Sequence, residues 1–217
     1  MLPYSAEVLY ALYGQYNQAI WPIQILFLVL AGVCLALTLN PWRQAGRVVG
    51  AILVLAWSWA AIGFHWQHFS LINFSAGIYA ALFAIQAVLI AWTWVARGGI
   101  SFRLDRDASG AVAVTMIICA LVVYPALDWV SGYSWPQWRL LGVAPGPTML
   151  FTLGIMLLAK PRAHPVLVAI PLVWLCIEAW SAWVLGMPQD LLPLVMAGIA
   201  LFLLLRPKRL AQAPKRA

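Results

Sequence analysis

An all-α membrane protein that crosses the bilayer several times is what this sequence predicts, and three observations carry the prediction. Hydrophobic residues make up 65% of the 217 and charged residues only 9%, whereas a soluble domain is about a quarter charged. The apolar residues collect in runs of roughly 20, the length needed to span a bilayer core. Of the 13 Lys and Arg residues, all but Arg139 fall in three alternate loops and the C-terminal tail. Cytoplasmic loops carry the excess of basic residues, so this distribution predicts seven spans with the N-terminus outside and the C-terminus in the cytoplasm. It also assigns the net charge of +7 to orientation and lipid headgroups, and argues against nucleic acid as a partner.

Residues 1–18 read as an interfacial segment. Pro3 to Asn17 (PYSAEVLYALYGQYN) places Leu9, Leu12 and Tyr13 near one helical face, with Ser5 as a helix cap. It has neither the basic nor the apolar region of a cleavable signal peptide. Span one runs from about Ile20 to Leu39 and ends at Asn40-Pro41. The loop with Arg43 and Arg47 follows, then span two (Val48 to Trp66) and span three (Asn73 to Val95). The polar stretch RGGISFRLDRDASG holds Arg97, Arg103 and Arg106. Span four covers Ala111 to Val130. The loop SGYSWPQWRLLGVAPGP leads to span five, Pro147 to Ala159, which is short unless the loop dips into the membrane. Lys160 and Arg162 precede span six, Pro165 to Gly186, and span seven covers Leu191 to Leu205. Residues 1–205 are thus expected to form one transmembrane helical domain, and residues 206–217 a basic, disordered cytoplasmic tail.

A shift of 117 residues lays spans one to three on spans five to seven, Trp57 on Trp174 and Asn73 on Asp190. An odd linker helix makes such repeats parallel, the three-plus-one-plus-three plan of the sugar transporters called SWEETs, resembled here in plan only. With 13 tryptophans in the chain, coincidence accounts for the identities equally well.

Cys34, Cys119 and Cys176 all lie in apolar runs without CxxC pairing and are expected to behave as small buried hydrophobes. The polar groups inside the spans carry more chemistry. Glu178 stands alone in span six, where a charge costs about 3 kcal/mol or more and faces protein or water. Helical spacing puts Ser58, Ala61, His65 and His68 on one face of span two, and Ser75, Tyr79 and Gln86 on one face of span three. Tyr124 pairs with Asp128 in span four, and Trp174 with Glu178 and Ser181 in span six. With Asn73 and Asp190, these groups are expected to converge on an outward-facing cavity. GVAPGPT, residues 142–148, cannot be regular helix throughout. Were it at membrane depth, the start of span five, with Thr148, would aim its positive end at that cavity. Each residue also has a bland reading. His65 and His68 fit headgroup anchors, Asp128 and Asp190 fit wet helix ends, and the tryptophans fit packing.

Several stretches resemble a bacterial family of small integral membrane proteins catalogued as a domain of unknown function. They are Trp57 to Gln86, Val123-Tyr124-Pro125, GVAPGPT with the following LFTLGIMLLA, PLVW…LGMPQDL in 171–191, the opening LPYSAE and Trp21-Pro22. The resemblance covers nearly the whole chain. It implies a seven-helix protein of the bacterial inner membrane and no particular activity. Relatives often carry cysteine where this chain has Gly146, so thiol chemistry is not implied at that loop here. The small residues expected around Glu178 in relatives would make that carboxylate a local specialisation.

Three functions fit these residues. A transporter or channel for a small solute or ion would use Glu178, Asp128, His65, Tyr124, Asn73, Asp190, Trp174, Ser58, Tyr79 and Thr148 to line its path. A non-catalytic sensor or partner subunit needs only a ligand or helix-binding face. A membrane-embedded zinc hydrolase, on the pattern of the alkaline ceramidases, would gather His65, His68, Asp128 and Glu178. Those enzymes use three histidines, whereas His164 lies among the cytoplasmic basic residues. Retinal is disfavoured, because span seven has no lysine to form a Schiff base.

Overall fold

A computed structural model of the protein describes residues 2–40, 42–187 and 190–205, with backbone alone for Leu192 and Pro193. The chain is helical almost throughout: α1 (Ala6–Ala19), α2 (Ile23–Leu39), α3 (Ala45–Trp59), α4 (Ala76–Ile90), α5 (Ala108–Ile118), α6 (Tyr124–Val130), α7 (Pro145–Leu158), α8 (Val166–Leu185) and α9 (Leu191–Leu205). Helix α3 continues through a π-helical segment, Ala60–Trp66, α4 through Ala91–Ala96, and α5 through Cys119–Val123 into α6. The rods Ala45–Leu71, Ala76–Ala96, Ala108–Val130 and Val166–Leu185 are long and apolar enough to cross a membrane. Helices α1 and α2 pass the same test only as a pair, and they are bent by 87° where they meet. Proline 22 stands at that bend, where it can supply no amide to continue a helical ladder. The basic tail, residues 206–217, lies outside the described residues.

The all-helical fold carries two details beyond regular α-helix. Three of the candidate spans pass through π turns that carry an extra residue per turn and rotate everything beyond them. The other is a short ladder between two loops. Ser101–Phe102 (β1) pairs antiparallel with Ala159–Lys160 (β2), joining the loop after α4 to the loop after α7. Asp105 reinforces this clasp through Lys160 Nζ at 2.8 Å and an ion pair to Arg103.

Helix α7 is the centre of the bundle. All of its 14 residues are buried, enclosed chiefly by α5, α9 and α3. Its sequence is apolar on every face, as a helix without a solvent or lipid side must be. At 1.5 Å per residue it is about 21 Å long, less than the roughly 30 Å of a bilayer core. Helix α2, which the 117-residue shift would match to α7, instead turns Ile25, Val29 and Val33 outward. The two therefore occupy opposite surroundings.

The segment before α7 is held inside the protein. Residues 141–150 are all buried, and Gly142 adopts φ 82° with Phe27 pressed against it, so that a Cβ would stand 2.3 Å from the phenylalanine ring. Thr148 closes the turn by accepting from Gly142 N at 2.9 Å and donating to Ala144 O at 2.6 Å. The non-helical part of GVAPGPT is thus residues 142–144, and PGPT forms the first turn of α7.

Helix α1 folds back over this end of the bundle. Ser5 caps it, with Val8 N donating to Oγ at 3.4 Å. Glu7, Gln15 and Gln18 face outward, while Tyr10, Leu12, Tyr13 and Tyr16 are buried beneath. Tyr16 donates to Val143 O at 3.1 Å, and Asn17 Nδ2 donates to Pro136 O and Trp138 O. The segment expected to lie along the interface is therefore a lid hydrogen-bonded to the loop that feeds α7.

Candidate functional site

Arg139, in the loop between α6 and α7, organises the chemistry beneath the lid. Its backbone N–H donates to Asp128 Oδ2 at 2.8 Å and its Nε to Asp128 Oδ1 at 2.9 Å. Nη1 and Nη2 donate to the two carboxylate oxygens of Asp190, each at 2.8 Å, and Nη2 also reaches Asp128 Oδ1. The guanidinium lies over the rings of Tyr10 (5.3 Å) and Tyr124 (4.9 Å). Tyr10 Oη completes the cluster by donating to Asp128 Oδ1 at 2.8 Å. Asp128 is fully buried and Arg139 nearly so. Charges this deep persist because each is paired and hydrogen-bonded. The cluster pins α6 and the loop that follows it to the start of α9, 51 residues further along the chain.

Beside the cluster lies a cavity of about 70 Å³, bordered by Arg139, Asp190, Tyr124, Gly146, Trp174 and Glu178, with Tyr4 and Tyr13 closing it from the lid. That volume is room for about two waters or a small ion. Burial pushes the Tyr4 phenol up to about 12, so it stays a neutral hydroxyl within reach of Asn73 and Ser181. Gly146 is the floor. A Cβ there would stand 2.3 Å from Tyr124 Oη and 2.8 Å from Glu178 Oε1, so glycine is what lets both groups approach the first turn of α7. That helix end has only the Gly146 N–H to offer an anion, because Pro145 and Pro147 have no N–H and Thr148 N already donates to Ala144 O.

Two polar atoms at this cavity are sealed from solvent without a hydrogen-bond partner, Glu178 Oε2 and Trp174 Nε1. Unpartnered buried polar atoms are rare in folded proteins and call for a reason.

The sequence-derived candidates divide sharply. Tyr79, Tyr124, Trp174, Glu178 and Asp190 border the cavity, and Asp128 stands directly behind it through Arg139. His65 lies one layer further back, its ring 5.0 Å from Trp174 and 4.7 Å from Phe83, with neither ring nitrogen partnered. Asn73 uses its side-chain oxygen to accept from Ser75 N at 2.8 Å, closing the turn before α4. Three expectations fail. Ser58 borders a shallow outer groove between α3 and α4, because the π turn after Trp59 rotates His65 inward and leaves Ser58 behind. Thr148 is spent on the turn before α7. The proposed zinc set does not assemble. His68 turns to Gly63 O at 2.7 Å and packs edge-on against Tyr16, and Asp128 is taken by Arg139. No group of three or more His, Cys, Asp or Glu side chains among the described residues is placed to hold a metal.

Arg139 was missed as a site residue, although it is the one basic residue on its side of the predicted topology. A lone arginine between spans reads as loop solubility, yet two aspartates at neighbouring span ends were the hint that it pairs inward.

Comparison with family models decides the chain's kinship, with a match that extends over residues 6–215. The chain belongs to DUF6064, a family of unknown function. Comparison with curated proteins and with solved structures finds no match in either. The DUF6064 match includes α1, the Arg139 loop and α8, so the residues named at the cavity lie within the family's span, Tyr4 apart.

Proposed function

We propose that this DUF6064 protein is a membrane transport protein, a carrier or channel for a small solute or ion, and that the cavity beneath α1 is its solute site. In this reading it sits in the bacterial inner membrane, crosses it seven times with α7 and α9 among the crossings, and keeps its N-terminus and Arg139 outside. The observation that carries the reading is the sealed, unpartnered carboxylate oxygen of Glu178, facing a cavity inside the helix bundle. A carboxylate in a span is costly, and such groups mark solute and ion paths. A helix that covers part of the site and is joined to the bundle by a bend supports a gated entrance.

The test is flux of small solutes and ions into proteoliposomes containing the purified protein. Uptake above that of empty liposomes, reduced at least tenfold by Glu178→Gln, is the expected result. Uptake equal to that of empty liposomes across a panel of inorganic ions, amines, small acids and sugars would overturn it. The zinc-hydrolase alternative has lost its geometric support, since its four donors face four different environments.

A further inference from the structure

We infer that the cavity binds a small monovalent cation of the ammonium type, ammonium itself or a primary amine no larger than a few heavy atoms, on the carboxylate of Glu178. This rests on the solute-site reading above and adds the chemical class of the solute.

Charge complementarity comes first. The cavity has one guanidinium on its wall, and that group is spent: four of its N–H···O contacts go to Asp128 and Asp190. A guanidinium has five N–H donors, so at most one is left for a guest. The first turn of α7, which would otherwise attract an anion, loses two amides to Pro145 and Pro147 and a third to the Thr148–Ala144 bond, leaving only the Gly146 N–H. Against this, Glu178 brings a side-chain oxygen, Oε2, that forms no full hydrogen bond, with the Trp174 indole N–H beside the carboxyl group. The ionised groups at the site, one Arg against two Asp, already sum to a negative charge before Glu178 is added. An anion would meet the repulsion of the two aspartates, offset only by scattered single donors such as Trp174 Nε1–H. A cation with N–H groups supplies what Glu178 lacks.

The walls agree with the charge. Tyr13, Tyr79, Tyr124 and Trp174 surround the carboxylate, and the faces of such rings attract ammonium groups by about 0.5–2 kcal/mol each. Trp174 is only 5% exposed, and its sealed Nε1–H has no acceptor. A water entering with the cation would provide one. Size sets the upper limit. A cavity of about 150 Å³ takes benzene, and this one is about 70 Å³, which suits methylammonium and excludes a tetraalkylammonium.

The experiment is equilibrium binding of radiolabelled methylammonium to the full-length protein in lipid nanodiscs, with unlabelled competitors. Saturable binding is expected, displaced by ammonium and methylammonium but not by acetate or tetraethylammonium, and weakened at least tenfold in both Glu178→Gln and Gly146→Ala. Absence of saturable binding, displacement by acetate, or full binding by Glu178→Gln would overturn the inference. Should either variant fail to fold, the competitor profile of the unaltered protein decides alone. Failure of the two readings is distinguishable. Methylammonium binding without flux of any solute removes the transport reading and keeps the cation site. Glu178-dependent flux of another solute without methylammonium binding removes only the cation.

Discussion

Arg139 and Asp190 meet fork to fork, Nη1 on Oδ2 and Nη2 on Oδ1, both at 2.8 Å. The pair joins the loop before α7 to the start of α9, and Asp128 brings α6 to the same guanidinium. Arg139→Ala would leave two buried carboxylates without a counter-charge, a loss of about 3–5 kcal/mol. A steep fall in the melting temperature of the detergent-solubilised protein is expected. Arg139→Lys should recover only part of it, because one ammonium cannot serve two carboxylates in the planar geometry that arginine uses. A lysine variant as stable as the parent would mean that charge alone matters here.

Gly146 and Tyr124 give a second prediction. A methyl at position 146 would stand 2.3 Å from Tyr124 Oη, and overpacking of this kind costs about 1–3 kcal/mol. Removing the hydroxyl with Tyr124→Phe relieves the closest contact, so the double variant should be more stable than the sum of the single effects by about 0.5 kcal/mol or more. Strict additivity in a double-mutant cycle would show that the two groups do not meet.

The clasp between the loops gives a pH prediction. The hydrogen bond from Lys160, more than any other influence, holds the Asp105 carboxyl below its usual range, and Arg103 adds to the effect. A carboxyl whose folded value is depressed stabilises the fold above its unfolded value of about 3.9, and the benefit is lost as the pH falls through the folded value. The parent should therefore melt higher than Asp105→Asn at pH 7, and the gap should close as the pH drops below about 4. A gap that persists in acid would assign the effect to something other than this charge.

Orientation can be read by labelling. The seven-crossing proposal puts Ser131 and Gly99 on opposite sides of the membrane. In a variant whose native cysteines are replaced, a cysteine at Ser131 should react with an impermeant maleimide added outside intact cells, and one at Gly99 only after permeabilisation. The reverse pattern would invert the topology, and equal reaction of both would break it.

The positions of the apolar helices were legible because lipid and protein interiors both demand long apolar runs. Helix α9 has the bounds read from sequence, and the other helices moved by a few residues at their ends. Glu178 was legible because a lone carboxylate in such a run stands out. The stripe from Ser58 to His68 was not, since it assumed 3.6 residues per turn and a π segment lies inside it. The lid was hidden for another reason. Tyr10, Tyr13 and Tyr16 suit a membrane interface as well as a buried site, and only their partners, Asp128 and Val143 among them, separate the two. Arg139 escaped because its partners stand 11 and 51 residues away, outside the three- and four-residue spacings of a helix face.

The complete burial of α7 bears on how the molecule is made. A segment of 14 residues, too short to settle in lipid alone and enclosed on every side when finished, has no stable place until its neighbours surround it. Helix α9, one wall of that enclosure, is the last described helix to leave the ribosome. Biogenesis must therefore hold α7 in waiting, half-inserted or sheltered, until α9 has been made. A chain cut short after α8 would present the cell's quality control with an orphaned core.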